Sequence, residues 1–149
     1  MKTPNRERLS DVPMGWPSVE RTPETMSQGD GRRARGLNAL ATFSGESGER
    51  VVSELRAVAP DLADWIIDFS YGEVMSRPGL DRRSRQIATI AALTALGTAL
   101  PQLRVHIEGA LHVGCKPQEI VEVILQMAVY AGFPAAINAL HVAREVFEK

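Results

Sequence analysis

The stretch that decides the fold runs from Arg77 to Gly114 and reads RPGLDRRSRQIATIAALTALGTALPQLRVHIEGALHVG. A Pro-Gly turn is followed by an aspartate that can cap a helix, and apolar residues then recur at helical spacing as far as Leu96. The break GTALP separates this helix from a second one, in which His106 follows Leu103 by three residues on the apolar face. The stretch therefore predicts two consecutive helices with a histidine in apolar surroundings.

Helical spacing continues on both sides of this stretch, and no run shows the alternation typical of a half-buried strand. The glycines of SGESG predict a stop between the first two helices. Pro60 and Pro117 each suit the first turn of a helix. The pattern predicts an all-α fold, with about six to seven helices in a single domain over residues 31–149. The expected helices cover about 32–43, 49–58, a segment from Pro60 that carries Leu62, Trp65, Ile66 and Phe69, then 82–96, 101–113, 117–131 and 134–148.

Residues 1–30 differ in composition from the rest of the chain. Pro, Ser, Thr, Arg and Glu dominate there, and large apolar residues are too few to form a core. We therefore expect a flexible N-terminal arm. Trp16 is the exception, and it suits a docking residue on a neighbouring subunit.

Composition limits the classes of partner. The chain has 149 residues, 44% of them hydrophobic, and Lys+Arg 17 against Asp+Glu 18 gives a formal charge of −1. This balance argues against a nucleic-acid partner, and no apolar run reaches the roughly 18 residues of a membrane span. Cys115 is the single cysteine, so it has no disulfide partner within the chain and forms no usual zinc site with the histidines. We expect a cytoplasmic protein with no membrane or metal partner.

The helix at 82–96 has little polar surface beyond its first turn. A helix that is apolar nearly all round is normally buried, and full burial in a chain this short is easier when subunits pack together. The sequence therefore predicts an obligate homo-oligomer.

Four arginines surround the Pro-Gly turn: Arg77, Arg82, Arg83 and Arg85. Guanidinium groups bind carboxylates as bidentate forks, so two that converge would suit a dianionic substrate. The alternative is that these arginines are solvated or paired with neighbours such as Glu73 and Asp81.

His106 and two residues of a later helix are the other candidates. A buried imidazole can transfer protons near neutral pH, but His106 could equally be a core histidine bonded to a backbone carbonyl. Gln126 and Tyr130 lie one helical turn apart, where they could line a pocket or bridge an interface.

Three long segments carry a resemblance to a known family. YGEVMSRPGLDRRSRQIATIAALTALG, LRVHIEGALHVGC and PQEIVEVILQMAVYAGFPAAINALHVAREVF resemble the carboxymuconolactone decarboxylases, from Arg32 to Phe147. A related peroxidase branch uses a Cys-x-x-Cys pair ahead of its histidine. The equivalent positions here are Ala99 and Gln102, so the thiol chemistry of that branch is not expected.

The resemblance implies a helical trimer or hexamer that decarboxylates 4-carboxymuconolactone, in aromatic-compound breakdown, without a metal or an organic cofactor. It implies that His106 is the proton donor and that arginines of the 77–85 segment hold the substrate carboxylates. The implied substrate-binding residues are Arg77, Arg82, Arg85, Glu73, Tyr71, Gln126 and Tyr130.

Some positions depart from the family pattern. Tyr71 stands where the family commonly has Trp, and HVG stands where an Asn-rich NNG is common. These differences leave open a tailoring enzyme that acts on another lactone, quinone or polyketide-like compound. A non-catalytic binding or assembly protein on the same scaffold is the third hypothesis.

Overall fold

The computed structural model describes residues 29–149, so most of the predicted arm, including Trp16, lies outside the described part. Every regular element within those residues is a helix, which confirms the all-α prediction. A π-helical segment, Ile66–Met75, follows the second of six α-helices. These are α1 Gly29–Val58, α2 Pro60–Trp65, α3 Arg82–Leu96, α4 Leu100–His112, α5 Pro117–Ala131 and α6 Phe133–Phe147.

Helix α1 bends at Gly45, which has the non-helical angles φ 52° and ψ −147°. The sequence predicted two helices with a stop at the glycines of SGESG, and this prediction is confirmed, because Gly45 divides α1 into two helical segments. The chain turns at one residue and continues as a helix to Val58. Glycine adopts a positive φ without the steric cost that other residues incur, so Gly45 permits a kink without a loop.

The segment after Trp65 is wound as a π-helix, and the buried face of α2 and this segment differs from the predicted one. The inward side chains are Ala63, Ile67 and Tyr71. By contrast, Trp65 and Phe69 are each 66% exposed. The expectation of a regular α-helix with these two aromatic residues on its apolar face is therefore corrected: the buried side chains come one position later than Leu62 and Ile66, at Ala63 and Ile67.

The predicted starts of α3 and α5 are confirmed. The Asp81 side chain accepts a hydrogen bond from the Ser84 backbone N–H at 3.0 Å, which caps α3. Pro117 begins α5, and the Glu119 carboxylate accepts from the Lys116 backbone N–H at 2.7 Å. Asp81 is therefore engaged as a helix cap.

The core has two parts, and α4 packs against both. The larger cluster joins α3, α4, α5 and α6 around side chains such as Ile90, Ile107 and Ile124. The smaller cluster joins α1 to the π segment around Phe43 and Ile67. Because α4 contacts α1 as well as α3 and α6, residues on its α1-facing side lie between the two clusters.

Helix α3 is not buried all round in a single chain. Gln86, Ile90 and Thr94 are fully buried, whereas Ala88 and Ala92 on another side are exposed. Large apolar side chains are also exposed near the ends of α3 and α5 and at the start of α6: Leu96, Leu125, Val129, Tyr130, Phe133 and Ile137. Among the described helices, none is long and apolar enough to span a membrane.

We predict that Gly45→Ala lowers the free energy of unfolding by about 1–3 kcal/mol, because a Cβ is strained at this positive φ. Its Cβ would also lie 3.4 Å from the His112 ring. Gly79→Ala is the matched control, since a Cβ there meets no atom within 4 Å and its φ is not positive. Chemical denaturation of both variants measures the difference, and equal stabilities would contradict the role assigned to Gly45.

Candidate active site

His106 lies on α4 and lines a cavity of about 630 Å³. The cavity is bounded by the second half of α1, the π segment, α3 and the start of α4, and most of its lining is aliphatic. Polar groups reach it from Tyr71, Ser70 and Thr89, and the one carboxylate among its described lining residues is that of Glu54. The apolar lining includes Leu40, Val51, Val52, Leu55, Val58, Ile66, Met75, Pro101 and Val105.

One side chain of α3 connects this histidine to the kink of α1. The Gln86 Oε1 atom lies 3.0 Å from His106 Nδ1, and Gln86 Nε2 donates to the Phe43 carbonyl at 2.8 Å. Gln86 is 0% exposed. The alternative in which His106 is bonded directly to a backbone carbonyl is therefore replaced by an indirect link, with an amide between the ring and the carbonyl.

This link determines which nitrogen of His106 carries the proton. A carbonyl oxygen can only accept, so the amide nitrogen of Gln86 must face Phe43 and its oxygen must face His106. An amide oxygen also only accepts, so Nδ1 carries a hydrogen. The neutral ring therefore has its free lone pair on Nε2, which is the nitrogen left to exchange a proton with a ligand in the cavity.

Burial lowers the pKa of the His106 imidazole below its usual range. Removal from water disfavours the charged form, and the Gln86 amide adds no compensating negative charge. At neutral pH and with the cavity empty, the ring is therefore the neutral Nδ1–H form. It can accept a proton at Nε2 and then donate it.

Tyr71 lies in the same cavity and is held by α1. Its hydroxyl is 2.8 Å from the Ser44 hydroxyl, and burial raises the pKa of the phenol. Tyr71 was predicted to bind substrate, and the structure brings it to the cavity of His106. The phenol remains protonated at neutral pH, so it can act as a hydrogen-bond donor to a ligand.

The arginine turn borders a different cavity, of about 660 Å³, whose described lining includes Arg77 and Arg82 but not His106. The Arg82 guanidinium lies 5.9 Å from the centroid of the Phe43 ring. Met75 lines both cavities. Within one chain, the predicted convergence of arginines on His106 is therefore not found.

Arg85 supports the turn from within. Its Nε donates to the Leu80 carbonyl at 3.2 Å and its Nη2 donates to the Arg77 carbonyl at 2.9 Å. Arg83, the fourth arginine of the turn, pairs with Glu119 at 2.6 Å. The sequence pattern did not distinguish these structural arginines from Arg77 and Arg82.

The remaining predicted binding residues are elsewhere in the single chain. Glu73 pairs with Arg32 at 2.7 Å and with Arg35 at 3.4 Å. Gln126 borders a third cavity with Arg83, and Tyr130 is 76% exposed. Their contact with substrate remains a prediction, because one chain does not bring them to His106.

Gln86 and Ser44 were missed by the sequence analysis. The position of Gln86 could have revealed it. Gln86 lies four residues before Ile90 and eight before Thr94, on one face of a helix that is otherwise apolar beyond its first turn. A polar residue at such a position must find a partner when it is buried. Ser44 gave no signal, since serine next to Gly45 also suits an ordinary turn.

Cys115 is buried and unpaired, as expected for a single structural thiol. Within residues 29–149, no three His, Cys, Asp or Glu side chains are grouped as metal ligands would be. The polar side chains at the two described cavities include His106, Tyr71, Arg77 and Arg82.

Comparison with known proteins identifies a family. The model of the carboxymuconolactone decarboxylase family matches residues 60–145. The chain is 39% identical over 118 residues to the 4-carboxymuconolactone decarboxylase of Acinetobacter baylyi, which covers 78% of this chain and 87% of that protein. It is 34% identical over 126 residues to an uncharacterized 15.0 kDa protein of Paracoccus denitrificans, with 83% and 89% covered. The nitrosuccinic acid decarboxylase of Metarhizium robertsii is 36% identical over 80 residues, which is 54% of this chain and 55% of that protein.

The fold and the site define an all-helical protein with a histidine on the wall of a largely apolar cavity. The chain belongs to the carboxymuconolactone decarboxylase family. The predicted family is thereby confirmed, and the names of two relatives support the prediction of a carboxy-lyase.

We predict that the free energy of unfolding falls as the pH falls below about 6.5, because the unfolded chain then binds a proton at His106 that the folded chain does not. The loss continues down to the lowered pKa of the folded state, with a slope of at most about 1.4 kcal/mol per pH unit. Denaturation of His106→Gln as a function of pH should show a shallower dependence. His141→Gln, on the exposed side of α6, is the matched control. Equal slopes in the parent protein and in His106→Gln would contradict the prediction.

Proposed function

We propose that the protein decarboxylates 4-carboxymuconolactone or a similar cyclic carboxylate, without a cofactor, in the breakdown of aromatic compounds. The observation that carries the proposal is the half-buried His106, held by an amide on the wall of a largely apolar cavity. Family membership and the printed names of two relatives support the decarboxylase class.

The chemistry of such a lactone matches what the cavity can supply. The carbon–carbon bond to the departing carboxylate breaks, and its electron pair moves through the ring alkene to the lactone carbonyl as a dienolate. A proton then returns to carbon as the carbonyl re-forms. The protein must hold the substrate, exclude water and deliver that proton, and an apolar wall also favours loss of a charged carboxylate as neutral carbon dioxide.

His106 is the proposed proton donor, through Nε2. A neutral ring must first gain a proton, and a carboxylate within about 4–6 Å raises the pKa of an imidazole. Binding of the substrate anion therefore adds a negative charge near His106, and this charge favours the protonated ring. Tyr71 is proposed to donate a hydrogen bond to the substrate from the opposite wall.

Arg77 and Arg82 are the proposed carboxylate-binding residues. They line the neighbouring cavity, and Met75 borders both spaces, so a substrate near Met75 could place a carboxylate toward the arginines and its ring toward His106. Arg85 is proposed to act by keeping the turn in place, given its two bonds to turn carbonyls. Glu73, Gln126 and Tyr130 would need another subunit to reach the same substrate.

A second candidate function is favoured by the lining of the His106 cavity. Within the described chain, no lysine or arginine lines that cavity. Such a site suits a less charged cyclic compound, such as another lactone, a quinone or a polyketide-like substrate. The enzyme would then be a cofactor-free tailoring enzyme that uses the same histidine.

We predict that the purified protein releases carbon dioxide from 4-carboxymuconolactone and that His106→Gln lowers turnover by roughly two to four orders of magnitude, the usual range for a general acid. Arg82→Ala should instead weaken substrate binding, because a charge-assisted pair with the carboxylate is lost. Carbon dioxide release and KM measure the two effects. His141→Gln is the matched control and should retain the parent turnover.

The outcomes separate the hypotheses. Turnover of less charged lactones or quinones, with none of carboxymuconolactone, would favour the tailoring enzyme. Full activity in a folded His106→Gln would show that the histidine is only a core residue. Binding without turnover of any of these compounds would favour the non-catalytic scaffold.

We also propose that the protein is a homo-oligomer, a trimer or a hexamer. Exposed apolar side chains near the ends of α3 and α5 and at the start of α6 support this, because a single chain leaves them in water. Val129 is 79% exposed and Phe133 is 75% exposed, and they lie four residues apart where α5 passes into α6.

Light scattering should therefore give a mass at least three times that of the chain, whose mass is 16.3 kDa. Phe133→Glu should reduce the mass, because burial of a charge in an apolar interface is costly. Glu122→Gln, at an exposed position of α5, is the control. A parent protein that stays monomeric at micromolar concentration would contradict the proposal.

A further inference from the structure

We propose that Gln86 is the positioning residue of His106: it holds the imidazole as the Nδ1–H tautomer and directs Nε2 to the cavity. This inference rests on the proposed function for its catalytic consequence, but its structural content concerns the free protein. Gln86 does not line the cavity with His106, so any effect it has on a ligand acts through the histidine.

The amide of Gln86 is anchored at the end that faces away from His106. The kink at Gly45 interrupts the regular hydrogen bonds of α1, and side chains bind the two carbonyls just before it. Gln86 Nε2 donates to the Phe43 carbonyl, and the Ser47 hydroxyl donates to the Ser44 carbonyl at 3.0 Å. Because the Phe43 carbonyl only accepts, the amide of Gln86 is not free to flip, and its oxygen stays turned to Nδ1.

Space for this bridge is provided by Gly109, one turn after His106 on α4. A Cβ at this position would lie 2.6 Å from Gln86 Nε2 and 2.8 Å from the Phe43 carbonyl oxygen. Both distances are shorter than real Cβ contacts allow. The absence of a side chain at Gly109 therefore lets the amide of α3 pass between α4 and α1.

The Gln86 end of the bridge is removed from water. Gln86 is 0% exposed, so its amide relies on the protein for both of its hydrogen bonds. The loss of the amide then leaves both the imidazole and the Phe43 carbonyl without their partner. Position and tautomer of the ring depend on one side chain.

The Gln86 side chain positions His106 without adding charge. The titratable groups that face the same cavity are Glu54 of α1 and Tyr71 of the π segment, and among the described lining residues α3 contributes none. A carboxylate in place of the amide would keep the acceptor for Nδ1–H but would favour the protonated ring. The amide therefore orients the imidazole of His106 without fixing its charge. The pKa of the imidazole can still change when a charged ligand binds.

The test uses the full chain with nitrogen-15-labelled histidine, whose NMR signals distinguish the two neutral tautomers. In the parent protein His106 should be the Nδ1–H form. Gln86→Met, which keeps the length and removes both polar atoms, should lose that preference. On the proposed reaction it should lower kcat by roughly 10- to 100-fold, the usual effect of removing the partner of a functional histidine, with KM little changed.

Two further variants make the result specific. Gln86→Glu keeps the acceptor, so it should restore the Nδ1–H form and move the titration of His106 to higher pH. Thr94→Val is the matched control, since the Thr94 hydroxyl is fully buried on the same face of α3 and has no hydrogen-bond partner within the described residues. It should leave the tautomer and kcat unchanged.

An unchanged Nδ1–H form in folded Gln86→Met would overturn the proposal. If Gln86→Met does not fold, Gly109→Ala provides the test, because the added Cβ would displace the Gln86 amide without removing it. Unaltered His106 signals in Gly109→Ala would equally overturn the proposal. The NMR result needs no substrate, so a failure of the proposed decarboxylation leaves it intact, and a failure of the tautomer test leaves the decarboxylation assay intact.

Discussion

The hydrogen-bonded bridge from the Phe43 carbonyl through Gln86 to His106 is the interaction on which the rest of the site depends. A buried amide is costly unless its donor and acceptor are both engaged. Here the donor is satisfied by α1 and the acceptor by α4, while the side chain itself comes from α3. A single residue therefore links α1, α3 and α4 beside the cavity.

The bridge exists because two glycines permit it. The positive φ of Gly45 bends α1 next to Phe43, and Gly109 lets the amide approach the Phe43 carbonyl. Neither effect comes from a favourable contact of the glycine itself. Gly45 adopts a conformation that other residues avoid, and Gly109 has no Cβ that would clash with the amide. The sequence predicted a helix stop at Gly45 because a helix end and a kink both favour a residue that readily adopts a positive φ.

Local patterns allowed most of the fold to be predicted. The starts and ends of α3 to α6 follow from Asp81, Gly97, Pro117 and the apolar spacing, since caps and periodicity are short-range properties. The π segment could not be predicted in this way, because the choice of a wider turn depends on packing against α1. Within this segment Ile67 and Tyr71 are buried, whereas Phe69, which regular helical spacing placed on the apolar face, is 66% exposed.

The candidate site was predictable only in part. His106 was recognised by its position on an apolar face, and the family resemblance supplied its proposed role. The arginines were recognised by type, but their type does not show that Arg85 binds turn carbonyls while Arg82 lies over Phe43. Gln86 and Phe43 are 43 residues apart, so their contact is a property of the tertiary fold.

Phe43 separates the permanent positive charges from the proposed proton donor. Its ring lies beneath the Arg82 guanidinium, and its carbonyl binds the amide that holds His106. A guanidinium beside His106 would lower the pKa of the imidazole further and oppose its protonation. The arginines line the neighbouring cavity. On the proposed mechanism, a substrate carboxylate near His106 would therefore be the new charge that favours the protonated ring. Proton uptake by His106 would then depend on the presence of the anion that is to be decarboxylated.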